Sequence, residues 1–296
     1  MVSRMHVVLD AMTELLRTIS TLAIVGFAVS SMLAAGCSVT LRAIVAPMRE
    51  PDRVIRALLG NFVLVPLIAA ILGRAFDLEP AVALGFILLG TAAGAPFLIK
   101  LVAIAEADLA LGTGLLVLLV PMTVVYMPIA VPLFAPDAAV DAIKVALTLA
   151  TTLLVPLALG LLLSELAPRW AKRLLPIART ASTVTLAALL ATTLIVNRVD
   201  LIDMLASRAL VAIVAFVLAS FAVGFLIASP HPERRIVLGL GTAQRNIAAS
   251  TVVAAEEYRG PDTLVLVVVA STLTLFVLIP TARWIASWRM RAQMLV

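Results

Sequence analysis

Apolar residues along this chain fall in long uncharged runs, at 18–41, 57–73, 80–99, 109–136, 145–164, 180–197, 209–229 and 263–282. A ninth stretch, 236–255, is free of charge except for one arginine. A helix needs about 20 apolar residues to cross the hydrocarbon core of a bilayer. The pattern predicts an all-α membrane protein of about nine transmembrane helices. Residues 1–17 differ, since Arg4, Asp10, Glu14 and Arg17 are spaced among apolar residues. That spacing predicts an amphipathic helix at the membrane interface, and it interrupts the apolar core that a cleaved signal peptide needs. Residues 18–286 then form a single transmembrane domain, and 287–296 a cytoplasmic tail.

Two of the runs are flawed in the same way. "GTAAGAPFLIK" (90–100) carries Gly90, Gly94 and Pro96 and ends at Lys100; "GLGTAQRNIAAS" (239–250) carries Gly239 and Gly241 before Gln244, Arg245 and Asn246. Glycine tolerates unusual backbone angles and proline cannot donate in a helix ladder, so both spans are expected to unwind near mid-membrane. Unwound backbone is tolerated at that depth only inside protein or beside a watery cavity. A charge there is expensive and faces the same places. One interrupted, charge-bearing span in each half of a chain is the sequence pointer to a transporter site built on inverted repeats. The plainer alternative is that either charge lies shallow and snorkels to the interface; for Lys100 the nearby Glu106 and Asp108 favour it.

Composition narrows the function further. The chain is 63% hydrophobic and 13% charged, with a net charge of +5. The basic residues are scattered at span ends and aromatics are few, which excludes a nucleic-acid surface. Cys37 is alone, and His6 and His231 are far apart, so neither a disulfide framework nor a metal cluster is available, and nothing calls for a cofactor. No span carries a carboxylate or a histidine, which argues against an intramembrane enzyme. With the N-terminus outside, 13 Lys and Arg fall in cytoplasmic segments and 7 in outer ones. This bias orients the chain N-out and C-in, in what is expected to be a bacterial inner membrane. Trp170, Trp284 and Trp288 fit interfacial anchors at the cytoplasmic face. Pro121, Pro128 and Pro132 are expected to bend the fourth span, where Thr123 and Tyr126 are assigned to helix packing.

The same stretches resemble the bile acid:sodium symporter family. The resemblance rests on "REPDRVIRALLGNFVLVPLIAAILG", with Asn61 before Phe62 where the family has Gln, and on "PAVALGFILLGTAAGAPFLIKLVAIAEADLALG", "LLVPLALGLLL" and "RRIVLGLGTAQRNIAAS", in that order. It implies a core domain (about 54–136 and 207–286) and a panel domain (about 18–41 and 145–197), which move by alternating access. In the core two broken helices cross, around 80–105 and 233–256, with substrate near the crossing and two sodium ions behind it.

The departures from the family bear on mechanism. Its Ser-Asn sodium ligands fall on Leu98 and Ile99, its serine and threonine one turn apart on Gly112 and Leu116, and its shared glutamate on Gly241. The glutamine before Asn246 becomes Arg245. Sodium wants several oxygen ligands; these residues do not supply them. The chain is therefore expected to be a secondary transporter of a small organic anion with sodium doubtful as a partner. Lys100 and Arg245 either replace the sodium ions or bind substrate directly, Arg being the natural bidentate partner of a carboxylate. Gln244 and Asn246 either line the substrate route or satisfy backbone groups in the break. Protons are the other possible coupling ion, with Glu106, Asp108, Glu256 and Glu257 as carriers, although all four sit near span ends. The alternatives are a sodium-coupled symporter with rearranged ion sites and a non-transporting sensor or scaffold with the carrier fold.

Overall fold

The computed structural model describes residues 2–40, 50–136, 141–196, 207–257 and 261–294. The side chains of 2–13, 17, 194, 256–257, 261 and 292–294 are outside that description, and with them His6 and the expected proton carriers Glu256 and Glu257. Every regular element among the described residues is helical. In chain order these are α1 (Val2–Cys37), α2 (Pro51–Leu59), α3 (Val65–Ala75), α4 (Pro80–Thr91), α5 (Leu98–Ile104), α6 (Leu109–Phe134), α7 (Ala142–Leu149), α8 (Val155–Leu166), α9 (Pro168–Val196), α10 (Arg208–Ile227), α11 (Pro232–Ala243), α12 (Ile247–Glu257) and α13 (Pro261–Met294).

Among the described residues, seven stretches are long and apolar enough to cross a membrane. Two of them, Pro51–Ala75 and Ala142–Leu166, contain a π-helical turn, at Gly60–Leu64 and Ala150–Leu154. Each turn runs directly into Val-Pro (Val65-Pro66 and Val155-Pro156). Proline has no N–H to give the carbonyl four residues back, so the ladder slips by one residue instead of breaking. The runs at 80–99 and 236–255 are the interrupted ones, α4 with α5 and α11 with α12. Of the expected interfacial helix 1–17, the described residues 2–17 are continuous with the first span, α1 running unbroken from Val2 to Cys37. α6 likewise keeps its three prolines within one continuous helix.

Packing divides along helix faces. α1 packs chiefly on α9 and α8, while α10 packs on α11, α3 on α4, and α4 on α13. At the α1–α8 contact the backbones touch: a Cβ on Gly36 would lie 2.2 Å from Leu157 O, and one on Gly160 2.5 Å from Leu33 O. Small residues allow this approach, which takes the place of a hydrophobic drive that lipid cannot supply. Phe86 of α4 meets Phe216 of α10 edge-on at 5.8 Å between ring centroids, deep among buried aliphatic side chains. Leu22, Ile71, Val125, Leu133 and Leu226 point outward and stay exposed, the surface expected of helices bathed in lipid.

Candidate functional site

α4 ends at Thr91, after which the chain runs irregularly from Ala92 to Phe97 before α5 begins. Gly94 has φ +78°, and a Cβ there would sit 2.7 Å from Val120 N of α6, so no other residue fits without strain. A helix that ends inside a protein leaves its last carbonyls without partners. Here the second break and the helix after it add partners to those that Thr91 and Ala92 supply locally. Ser250 Oγ donates to Leu88 O (3.1 Å), Asn246 N to Ala92 O (2.9 Å) and Asn246 Nδ2 to Gly94 O (3.0 Å). α6 adds Thr123, whose Oγ1 donates to Ala93 O and accepts from Ala93 N, both at 2.9 Å. The two breaks therefore face each other directly.

Arg245 lies at the centre of this junction, only 3% exposed. Its Nε donates to Leu89 O (2.9 Å); Nη1 to Asn61 Oδ1 (2.8 Å) and Thr242 O (3.2 Å); Nη2 to Gly90 O (2.6 Å) and Asn61 O (3.4 Å). A guanidinium has five N–H groups, and all five are used. The acceptors come from the C-terminal end of α4, the C-terminal end of α11 and the π turn that carries Asn61. Each helix C-terminus carries about half a negative charge, so two of them roughly balance one guanidinium. No carboxylate pairs with Arg245 among the described residues. Asn61 Nδ2 is held in turn by Ala57 O (3.0 Å) and Thr242 Oγ1 (3.3 Å), which fixes its carbonyl oxygen toward the arginine.

The remaining expected site residues divide. Asn246 is fully buried and bridges the breaks, its Oδ1 also accepting from Ala249 N at the start of α12 (3.2 Å). Gln244 is 5% exposed, and its Oε1 has no partner among the described residues. Pro96 is half-buried within the first break. Lys100 is not drawn in with Arg245: it is exposed on α5, its Nζ 5.6 Å from the Phe97 ring centroid. α5 begins at Leu98, so the side chain two residues on points away from the orphaned carbonyls. Glu106 and Asp108 are exposed at the α5–α6 turn, Asp108 capping α6 by accepting from Ala110 N and Leu111 N.

The positions that the resemblance assigns to sodium ligands hold hydrocarbon. Leu98 and Leu116 are 1% and 0% exposed. A Cβ on Gly241 would lie 2.4 Å from Leu115 Cδ2 and 3.2 Å from Leu98 Cδ2, so these leucines fill the space in front of it. Val102 covers Gly112 in the same way, at 2.9 Å, and Ile99 is half-buried beside the core. Thr123, assigned from sequence to helix packing, instead clamps the first break. Thr242, Ser250 and Leu115 carry no sequence signal, since a lone small polar or apolar residue in a membrane helix is ordinary.

The chain matches the family model described as Sodium Bile acid symporter family over residues 25–205, more than half its length. It belongs to the sodium bile acid symporter family. This is a family of membrane transporters, so the helical bundle is that of an integral, multi-pass transporter which resides in a lipid bilayer and moves a substrate. No individually curated protein matches the chain. In this symporter-family member the matched residues take in Asn61 and the whole first break, and stop before α10. The segment that carries Arg245 lies beyond them.

Proposed function

We propose that this transporter carries a small organic anion by alternating access without sodium coupling, with the Arg245 guanidinium standing permanently where relatives in the family bind a mobile cation. One observation carries the proposal: all five guanidinium protons are spent on carbonyl oxygens from both broken spans and from Asn61. Carbonyls released by unwinding and half-helix C-termini are what a transported cation coordinates in broken-helix carriers. A covalently attached cation can hold them together, and it cannot leave with the substrate. The leucines in front of Gly241 support the same conclusion, because they occupy space that a second ion and its water would need.

The assignment of Arg245 to direct substrate binding loses support, since no proton is left for a bidentate carboxylate. Gln244 and Lys100 are the polar side chains at the two breaks with unspent capacity, and Lys100 supplies the positive charge an anion requires. In this proposal α1, α7, α8 and α9 form the panel against which the other helices move. The Arg-rich ends at the start of α2, the start of α11 and the end of α13 face the cytoplasm.

The test is melting temperature in uncharged detergent across sodium and potassium chloride, followed by uptake of a panel of organic anions into liposomes under either gradient. The wild type is expected to melt alike in both salts and to transport equally under both gradients. Arg245→Gln, which restores the family's residue, is expected to melt lower and to recover part of the loss in sodium alone. A ligand that binds the folded state raises its melting temperature by mass action. Sodium-specific stabilisation of the wild type at millimolar levels would overturn the proposal.

A further inference from the structure

A second feature lies away from the crossing, where α2 and α11 begin and α10 ends. A cavity of about 70 Å³ opens there between α2, α6 and α11, against the ~10–15 Å³ that one water needs. Its body is hydrocarbon, with Leu115, Leu118 and Val237 among the walls, and its rim carries Arg53, Arg56 and Arg234. Apolar walls under a basic rim do not suit a metal cation or a fully polar solute. They suit an anionic head joined to a tail.

The carboxylates nearby leave this rim positive. Asp52 engages Arg56 Nε through both oxygens at 2.9 Å, and Arg56 Nη1 donates to Ile227 O (2.9 Å), so Arg56 is largely committed. Glu50 alone serves the other two, lying against Arg53 Nε and 3.4 Å from Arg234 Nη2, while Arg234 Nη1 donates to Ser229 Oγ (3.0 Å). Three guanidinium groups therefore share two carboxylates. Among the described residues the Nη groups of Arg53 donate to no acceptor. Planar, multi-donor groups of this kind are the usual partners of carboxylate and phosphate oxygens.

We propose that this cavity is a binding site for an amphiphilic anion, its acidic head held by Arg53 and Arg234 and its hydrocarbon end lodged against Leu115, Leu118 and Val237. Leu115 also covers Gly241 from the other side, so the occupant would press on the hydrocarbon that fills the family's ion position. The chemistry is shared by two sources, a free fatty-acid-like carboxylate and the headgroup end of an anionic phospholipid.

Purified protein in maltoside detergent is titrated with dodecanoate, with dodecyltrimethylammonium and with inorganic phosphate, reading melting temperature. Dodecanoate is expected to raise it; the cationic analogue and phosphate are not. The paired change Arg53→Gln and Arg234→Gln is expected to weaken the apparent affinity for dodecanoate at least tenfold. Gly114→Leu, which places a side chain on the cavity wall and leaves every arginine intact, is expected to abolish the response and serves if the paired variant does not fold. Nanodiscs separate the sources: a rise with dodecanoate in phosphatidylcholine assigns a free anion, and a rise with phosphatidylglycerol alone assigns a lipid. The proposal fails if neither dodecanoate nor phosphatidylglycerol stabilises the protein, if the cationic analogue or phosphate stabilises it as well as dodecanoate does, or if Gly114→Leu responds as the wild type does. None of these outcomes depends on the sodium response, which tests the crossing separately.

Discussion

Arg245 and Lys100 occupy matching places in the chain, each a lone cation beside a break in an otherwise apolar span, and they end in opposite environments. Arg245 sits within its break, 3% exposed, with five hydrogen bonds to carbonyl oxygens. Lys100 lies beyond its break, exposed, with the Phe97 ring centroid 5.6 Å from its ammonium. The difference comes from helix phase. A residue inside the unwound segment projects toward the carbonyls that unwinding releases. A residue on the first turn of the resumed helix is aimed by that helix, and here α5 directs it outward. A cation near a break therefore ties the two broken spans together only when it belongs to the break itself.

The contrast is broken most directly by removing each cation. Arg245→Leu takes the guanidinium donor from the carbonyls of Gly90, Thr242 and Asn61 and from the Asn61 amide oxygen, and leaves Leu89 O with the Ala92 amide alone. At about 1–3 kcal/mol for each unsatisfied buried group, with some relaxation, the loss should reach about 4 kcal/mol or more. Denaturant unfolding in detergent measures it, and a variant as stable as the wild type would show that the network contributes little. Gly94→Val tests the other face of the junction. It forces a β-branched residue into φ +78° and a Cβ against Val120 N, for about 3 kcal/mol from strain and overlap together.

A smaller effect sharpens the role of α6. Thr123→Val keeps the shape and removes both hydrogen bonds to Ala93, for about 2 kcal/mol, whereas Thr123→Ser should stay near the wild type. If valine and serine behave alike, the hydroxyl is not holding the break. Lys100→Gln completes the series with less than about 1 kcal/mol, the scale of an exposed cation–π contact. A measurable loss of anion uptake with unchanged melting is the outcome that would give Lys100 a place in transport.

The same logic explains why the hydrocarbon around Gly241 was only half legible. The sequence shows that Leu98, Gly112, Leu116 and Gly241 cannot supply oxygen ligands. It does not show that Leu115, one position from an expected ligand site, reaches across to cover Gly241. That contact joins α6 to α11 over more than a hundred residues of chain. Thr123 escaped notice for the same reason, because its partner is a backbone peptide thirty positions earlier and backbone atoms leave no mark in a residue pattern.

By itself the sequence determined the membrane-spanning helical class, the position of both breaks and the presence of an arginine in one of them. These follow from local causes: run length against bilayer thickness, the missing N–H of proline, the freedom of glycine and the cost of a charge in hydrocarbon. The tertiary structure alone decided what the arginine is for. Its acceptors lie at positions 61, 89, 90 and 242, brought together because the carbonyl ends of α4 and α11 meet beside the π turn of Asn61. A charge pattern along the chain specifies that a cation must be satisfied; only the meeting of distant backbones specifies by what.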